Sequence, residues 1–212
     1  MRNHLSFLGQ FLTNPTRVAS VIQTSPFGVQ RISNQVRMRT GKTVIVEYGP
    51  GCRPDLAKHL LQRADLSLDS KIILIEQDPK FASALEEERD RLGDPRLKVS
   101  CNSAERVRDV LREEGEEAAD ILLSSIPITI FPADVRNRIL TNSHAALRED
   151  GEFIVFLFLK KIREYLEEYF TSVTEHPRVW LNFPPLRIFT AKKGSHPIPP
   201  AMYAEAAKAS GG

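Results

Sequence analysis

Five apolar runs, at 43–48, 71–76, 96–101, 119–125 and 152–159, constrain the fold of this chain more than any other feature. They are rich in Val, Ile, Leu and Phe, and charges or turn residues bound them. Several are apolar throughout instead of alternating, which is the pattern of a parallel strand covered on both faces. Helical stripes lie between them. Leu56, Ala57, Leu60, Leu61 and Ala64 make one stripe; Val107, Val110 and Leu111 make a second. Val135, Ile139, Leu140, Ala146 and Leu147 form a third, and Ile162, Tyr165, Leu166, Tyr169 and Phe170 a fourth. Repeated β–α units of this kind predict a doubly wound α/β sheet with right-handed crossovers. Two short strands within 172–191, separated by Phe183-Pro184-Pro185, predict a closing hairpin-like pair.

A chain of 212 residues can bury a sizeable core as one domain. Its longest uninterrupted apolar run, 153–159, is far short of the roughly 18–20 residues that cross a bilayer. Cys52 and Cys101 make neither a disulfide framework nor a metal-ligand pattern, which predicts a reducing compartment and no bound metal. Residues 1–12 lack the apolar core and cleavage site of a secretory signal, so a cytoplasmic location is expected.

The net charge of +2 conceals an asymmetry. Residues 1–46 carry Arg2, Arg17, Arg31, Arg37, Arg39 and Lys42 with no Asp or Glu, and the remainder is acidic on balance. A basic arm on an acidic body suits an anionic partner, either nucleic-acid phosphate or anionic lipid. It is equally what a solvated face or a transit peptide would show. The arm is helical but punctuated. Leu5, Leu8, Phe11 and Leu12 form a stripe, Asn14-Pro15 and Ser25-Pro26 each read as an N-cap followed by proline, and Val29, Ile32 and Val36 line the third piece. Three such helices would cover one edge of the sheet or lie on a membrane surface. Residues 1–40 are thus expected to be a helical lid or membrane arm, 41–193 the main domain and 194–212 a flexible tail.

At the end of the first run the sequence reads Glu47-Tyr48-Gly49-Pro50-Gly51, then Cys52-Arg53-Pro54. Strand, glycine turn and helix together bring backbone N–H groups to a ligand. A dinucleotide fingerprint requires glycine at position 54, where proline stands, and a phosphate loop requires a lysine that is absent. Glu47 and Glu76, each ending a strand, favour a cationic or hydroxyl-rich ligand over a phosphate. Glu76 would also serve as an ordinary cap or solvated acid. Cys52 beside Arg53 is placed where a thiolate is favoured, although a plain loop residue fits as well.

With "IEQDPKF" at 75–81 and "NSA" at 102–104, the glycine loop resembles the cofactor motifs of class I S-adenosylmethionine-dependent methyltransferases. Segments 7–27, 94–97, 119–127 and 181–189 resemble the bacterial phospholipid N-methyltransferase family, which is related to the rRNA adenine dimethylases. The resemblance spans roughly residues 7–190 and implies a Rossmann-like seven-stranded methyltransferase sheet with N-terminal amphipathic helices. It also implies S-adenosyl-L-methionine as cofactor, with Glu47, Gly49 and Gly51 holding its methionine part. Glu76 would bind the ribose hydroxyls beside Gln77, and Ser103 and Ala104 would border the adenine. Ser124, Ser125, Ile126 and Pro127 would lie beneath the transferred methyl, and Ser25 in a lid above it. Two stretches depart from the family: Cys52-Arg53-Pro54 after the loop, and Gln23-Thr24-Ser25 in the lid.

Enzymes that methylate a planar base nitrogen place an amide or acid and a stacking aromatic after the fourth strand. Here that stretch is Ser124-Ser125-Ile126-Pro127-Ile128, which lacks both, so an aliphatic amine is the better acceptor. His4, His59, His144, His176 and His196 are scattered, and none reads as a general base. The resulting expectation is a monomeric N-methyltransferase converting phosphatidylethanolamine towards phosphatidylcholine. It would sit peripherally on the anionic inner face of the membrane, with nucleic acid not expected as a partner. RNA or a small amine as acceptor, and a binding protein without catalysis, stay open as alternatives.

Overall fold

Alternation of side chains across buried strands explains how two layers of helix cover a single sheet. In the computed structural model, residues 24–194 are described. The stripe at Leu5–Leu12, the Asn14-Pro15 cap and the tail beyond Gly194 lie outside the described residues. The strands are β1 (Val44–Tyr48), β2 (Lys71–Glu76), β3 (Leu97–Cys101), β4 (Ala119–Ser124), β5 (Leu147–Leu157), β6 (Ser172–Glu175) and β7 (Arg187–Lys192). Their order in the sheet is β3-β2-β1-β4-β5-β7-β6. The first five are parallel, whereas β7 runs antiparallel to both β5 and β6. The helices are α1 (Pro26–Ser33), α2 (Asp55–Leu61), α3 (Pro79–Leu92), α4 (Val107–Glu113), α5 (Ala133–Ala146) and α6 (Ile162–Tyr169).

Val44, Val46 and Tyr48 of β1 join Ile73, Ile75, Leu122, Phe153 and Val155 on one face, packed against α4, α5 and α6. Ile45, with Ile72, Leu74, Leu123 and Ile154, faces the opposite way, onto α1, α2 and Leu85 of α3. The central strands are therefore covered on both faces, which is why their apolar runs are nearly continuous. Tyr48 is buried with its hydroxyl 3.1 Å from Ser143 Oγ, so its one polar atom is satisfied.

Sequence and structure differ at a few boundaries. α2 stops at Leu61, so Ala64 leaves the stripe and is exposed. The turn beyond it is used by Arg63, whose Nη1 donates to the carbonyls of Ser33 (2.6 Å) and Val36 (2.9 Å) at the end of α1. β5 starts at Leu147, earlier than its apolar run, because the exposed charges 148–150 hide a strand that shifts register against β4. Leu147 accordingly ends α5 and opens a strand instead of lengthening the helical stripe.

The Ser25-Pro26 signature does begin a helix. Ser25 is the N-cap of α1, and its Oγ accepts from Gly28 N at 3.1 Å. Of the two fates open to this piece of the arm, packing is the one observed. Val29, Ile32 and Val36 are buried against Leu56, Ala57 and Leu60, so this apolar side covers the sheet.

Candidate functional site

The strand order reverses between β1 and β4, because β1 has β2 on one side and β4 on the other. A crevice opens outside the carboxyl ends of the strands at such a switch point. All the residues singled out at the ends of β1, β2, β3 and β4 come to this edge. Gly49 and Gly51 have φ of +64° and +72°, the left-handed region that glycine tolerates without strain. Gly49 N donates to Ile75 O at 2.9 Å, tying the loop to β2. A Cβ at position 49 would lie 2.3 Å from Ile126 Cγ2, so the loop after β4 presses directly on this glycine. Ser125 secures that approach, its Oγ donating to Gly49 O at 2.8 Å.

Glu76 is buried and receives two backbone N–H groups, from Gly51 (3.0 Å, Oε2) and Asp78 (3.0 Å, Oε1). Its carboxylate organises the glycine loop, and each oxygen retains a further lone pair. Gln77 next to it is exposed. Asn102 N donates to Glu76 O at 3.1 Å, which brings Ser103 and Ala104 alongside. Ser103 caps the short helical turn 104–106, while Ala104 packs onto the core.

Glu47 is only 4 % exposed, and its Oε2 has no hydrogen-bond partner among the described residues. Burial, with the negative charge of Asp55 as a lesser cause, pushes its carboxyl up to about 8. A buried carboxyl without a partner is costly to ionise. Pro54 is the N-cap of α2 and not its first helical residue, so α2 opens on Asp55. Cys52 consequently lies short of the helix and is exposed.

Next to the loop, a small solvent-open cleft is lined by Thr24, Ser125, Pro127, Asn182, Leu186 and the end of β5 with the residues after it. Ser125 and Pro127 thus reach the cleft, and Ile126 covers Gly49. Ser124 is fully buried within β4, outside the lining, with its Oγ unpartnered among the described residues. Ser25 is fastened at the cleft mouth, its backbone N–H donating to Asn182 Oδ1 at 2.8 Å. Asn182 itself is buried and donates from Nδ2 to Pro184 O at 2.9 Å. Sequence reasoning assigned Asn182 no role. The signal for it was an asparagine flanked by apolar residues in "LNFPP", but only the fold shows that Ser25 hangs from it.

Comparison with known proteins follows the same lines. No protein-family model matches the chain. It is 27 % identical over 154 residues to an ornithine lipid N-methyltransferase of Singulisphaera acidiphila, covering 72 % of this chain and 77 % of that protein. The crystal structure of the CurJ carbon methyltransferase aligns with a TM-score of 0.62 at 13 % identity, over 88 % of this chain and 61 % of that one. A 1,6-didemethyltoxoflavin-N1-methyltransferase of Burkholderia thailandensis, solved with S-adenosylhomocysteine, aligns with a TM-score of 0.58 at 15 % identity, over 90 % and 87 % of the two chains. The seven-stranded sheet with its antiparallel last pair is therefore the Rossmann-like methyltransferase fold.

Proposed function

We propose that this chain is an S-adenosylmethionine-dependent N-methyltransferase acting on the headgroup amine of a membrane lipid. Its carrying observation is Glu47, a buried acid with an unpartnered oxygen at the glycine loop, opposite the Glu76 that orders that loop. S-adenosylmethionine supplies an electrophilic methyl on a sulfonium, and its cationic methionine part, its ribose hydroxyls and its adenine suit the residues present. Glu47 would offset the positive charge, and Gly49 and Gly51 would allow close backbone approach. Glu76, with Gln77 beside it, would take the ribose hydroxyls, and Ser103 and Ala104 would border the adenine.

The acceptor side needs less chemistry than positioning. A neutral amine lone pair has to be held in line with the methyl carbon, and orientation of this kind supplies much of the acceleration. Ser125, Ile126 and Pro127 would form the floor beneath the transferred methyl, with Ser124 buttressing them from inside β4. Ser25 and Asn182 would close the cleft and exclude water. Of the histidines at 59, 144 and 176, none lines the cleft, so the amine has to arrive deprotonated or lose its proton to water.

The ornithine lipid methyltransferase supports a lipid acceptor. Ornithine carries a primary amine, as ethanolamine does, and phosphatidylethanolamine is the acceptor we favour. Peripheral association with the inner, anionic face of the membrane follows from that substrate. Among the described residues no helix is long and apolar enough to cross a membrane. Lipid mass spectrometry of a bacterial host that lacks phosphatidylcholine tests the reading. New mono-, di- or trimethylated phosphatidylethanolamine is the expected result. An unchanged lipid profile with soluble expression, beside calorimetric binding of S-adenosylhomocysteine, would move the acceptor to RNA or a small amine. Absence of cofactor binding would leave a methyltransferase-like binding protein.

A further inference from the structure

Among the described residues, three of the seven exposed large apolar side chains fall within one short hairpin. Val179 and Leu186 pair antiparallel, with N–O distances of 2.9 and 3.1 Å, and close the segment 180–185. Trp180 is 70 % exposed, Leu181 67 % and Phe183 is exposed beside them, while Asn182 between them turns inward to the cleft. A fourth exposed ring, Phe27, lies on the first turn of α1 between two residues that abut Asn182. Ser25 N donates to Asn182 Oδ1, and Gly28 is packed so that a Cβ there would lie 3.2 Å from the same oxygen. Trp180, Leu181 and Phe27, exposed on the two segments that frame one cleft, are not scattered surface residues.

Three cations lie on these segments without an ion-pair partner among the described residues. Arg178 stands with its guanidinium 5.6 Å from the Trp180 ring centre. Arg31 follows Phe27 by one helical turn and so shares its face of α1. Arg31 and Arg37 lie close enough to His176 to help hold its imidazole below the usual range, after burial as the main cause and against the opposing charge of Glu152. The nearest acid on the hairpin's own strands, Glu175, is occupied by Arg187. Among the described residues no carboxylate forms an ion pair with Arg31, Arg37 or Arg178. Tryptophan with Arg178 beside it, and Phe27 with Arg31 on the same helix face, match a bilayer interface, where the rings sit at headgroup depth and the cations meet anionic lipid.

We infer that the Trp180–Phe183 hairpin and Phe27 form a docking surface for an anionic phospholipid bilayer, which sets the cleft mouth against the headgroups. The inference rests on the lipid-acceptor reading for its purpose, but docking is measurable without methyl transfer. A protein that methylates a lipid amine must bring its cleft to the interface, and this surface would do so.

Trp180 is the sole tryptophan of the chain, so its emission reports on this surface alone. Vesicles of phosphatidylcholine with phosphatidylglycerol, which contain no primary amine, should shift the emission to the blue, and brominated lipid should quench it. Raising the salt should weaken both effects. Trp180→Ala with Leu181→Ala should lower vesicle binding by roughly 10- to 100-fold, and Arg31→Ala or Arg178→Ala by roughly fivefold each. S-adenosylhomocysteine affinity should stay unchanged in all three variants, which controls for folding. Emission unaltered by vesicles would overturn the inference, whether or not the protein sediments with them. So would a blue shift that follows protein concentration without lipid, since that marks self-association. Docking with no methylated lipid, in contrast, would count against the acceptor reading alone.

Discussion

Glu47 carries the sharpest pH dependence at the residue scale. Its carboxyl rises from an ordinary 4.5 to about 8 on folding, so the folded state holds a proton that the unfolded state releases. Stability contributed by this group is therefore intact below about pH 4.5 and is lost as pH climbs towards 8. Glu47→Gln should flatten that decline, with an effect on the order of 3 kcal/mol across the window in urea unfolding at pH 5 and pH 9. A cationic cofactor binds the ionised form, so calorimetric affinity for S-adenosylmethionine should increase between pH 6 and 9, and the Gln variant should lose the increase. Gly49 offers a second test. Alanine there meets Ile126 at 2.3 Å and a positive φ. Gly49→Ala should cost roughly 2–4 kcal/mol and displace the 125–127 loop, with cofactor binding lost. A variant as stable and as tightly binding as the parent would show that the loop does not press on this glycine.

The behaviour of α1 distinguishes a packed element from a free arm. Ile32 is fully buried between α2 and the sheet, and Arg63 holds the α1 carbonyls from below. Ile32→Ala should destabilise the whole domain by about 2–4 kcal/mol in denaturant unfolding. A loss under about 0.5 kcal/mol would mean that α1 detaches without consequence for the core. Periodicity alone left the choice between sheet and membrane open, because both offer an apolar surface to the same stripe. What decided it was the exposed inner face that α2 and β1 present at that position, which no property of residues 26–36 encodes. For β5 the difficulty was opposite: three exposed charges interrupt the apolar signal while the backbone goes on pairing.

Ligand linkage belongs to the whole molecule. Binding to the carboxyl edge joins β1, β2, β3 and the loop after β4, so saturation should stabilise the sheet as a unit. At a concentration of S-adenosylhomocysteine 100 times its Kd, about 2.7 kcal/mol of added stability is expected. For a chain of this size that corresponds to roughly 5–10 °C in melting temperature. Glu76→Ala should reduce the shift at the same ligand concentration, because the Gly51 and Asp78 amides lose their common acceptor. An equal shift in parent and variant would sink the ribose assignment.

The sequence by itself determined the sheet and its carboxyl edge. Strands buried on both faces must be apolar at every position, and a loop that has to reach φ above zero must carry glycine, so both demands leave residues that can be read in order. The positions of Glu47, Gly49, Gly51 and Glu76 at the strand ends were legible for that reason, whereas Ser103 and Ala104 were singled out only through the family resemblance. Tertiary structure alone decided the rest. Asn182 meets Ser25 across 157 residues of chain, Ser124 and Ser125 part company at one step of the backbone, and Trp180 ends beside the cleft mouth. These outcomes depend on which segments the crossovers bring together, and a local pattern of apolar and polar residues carries no record of a partner so distant in sequence.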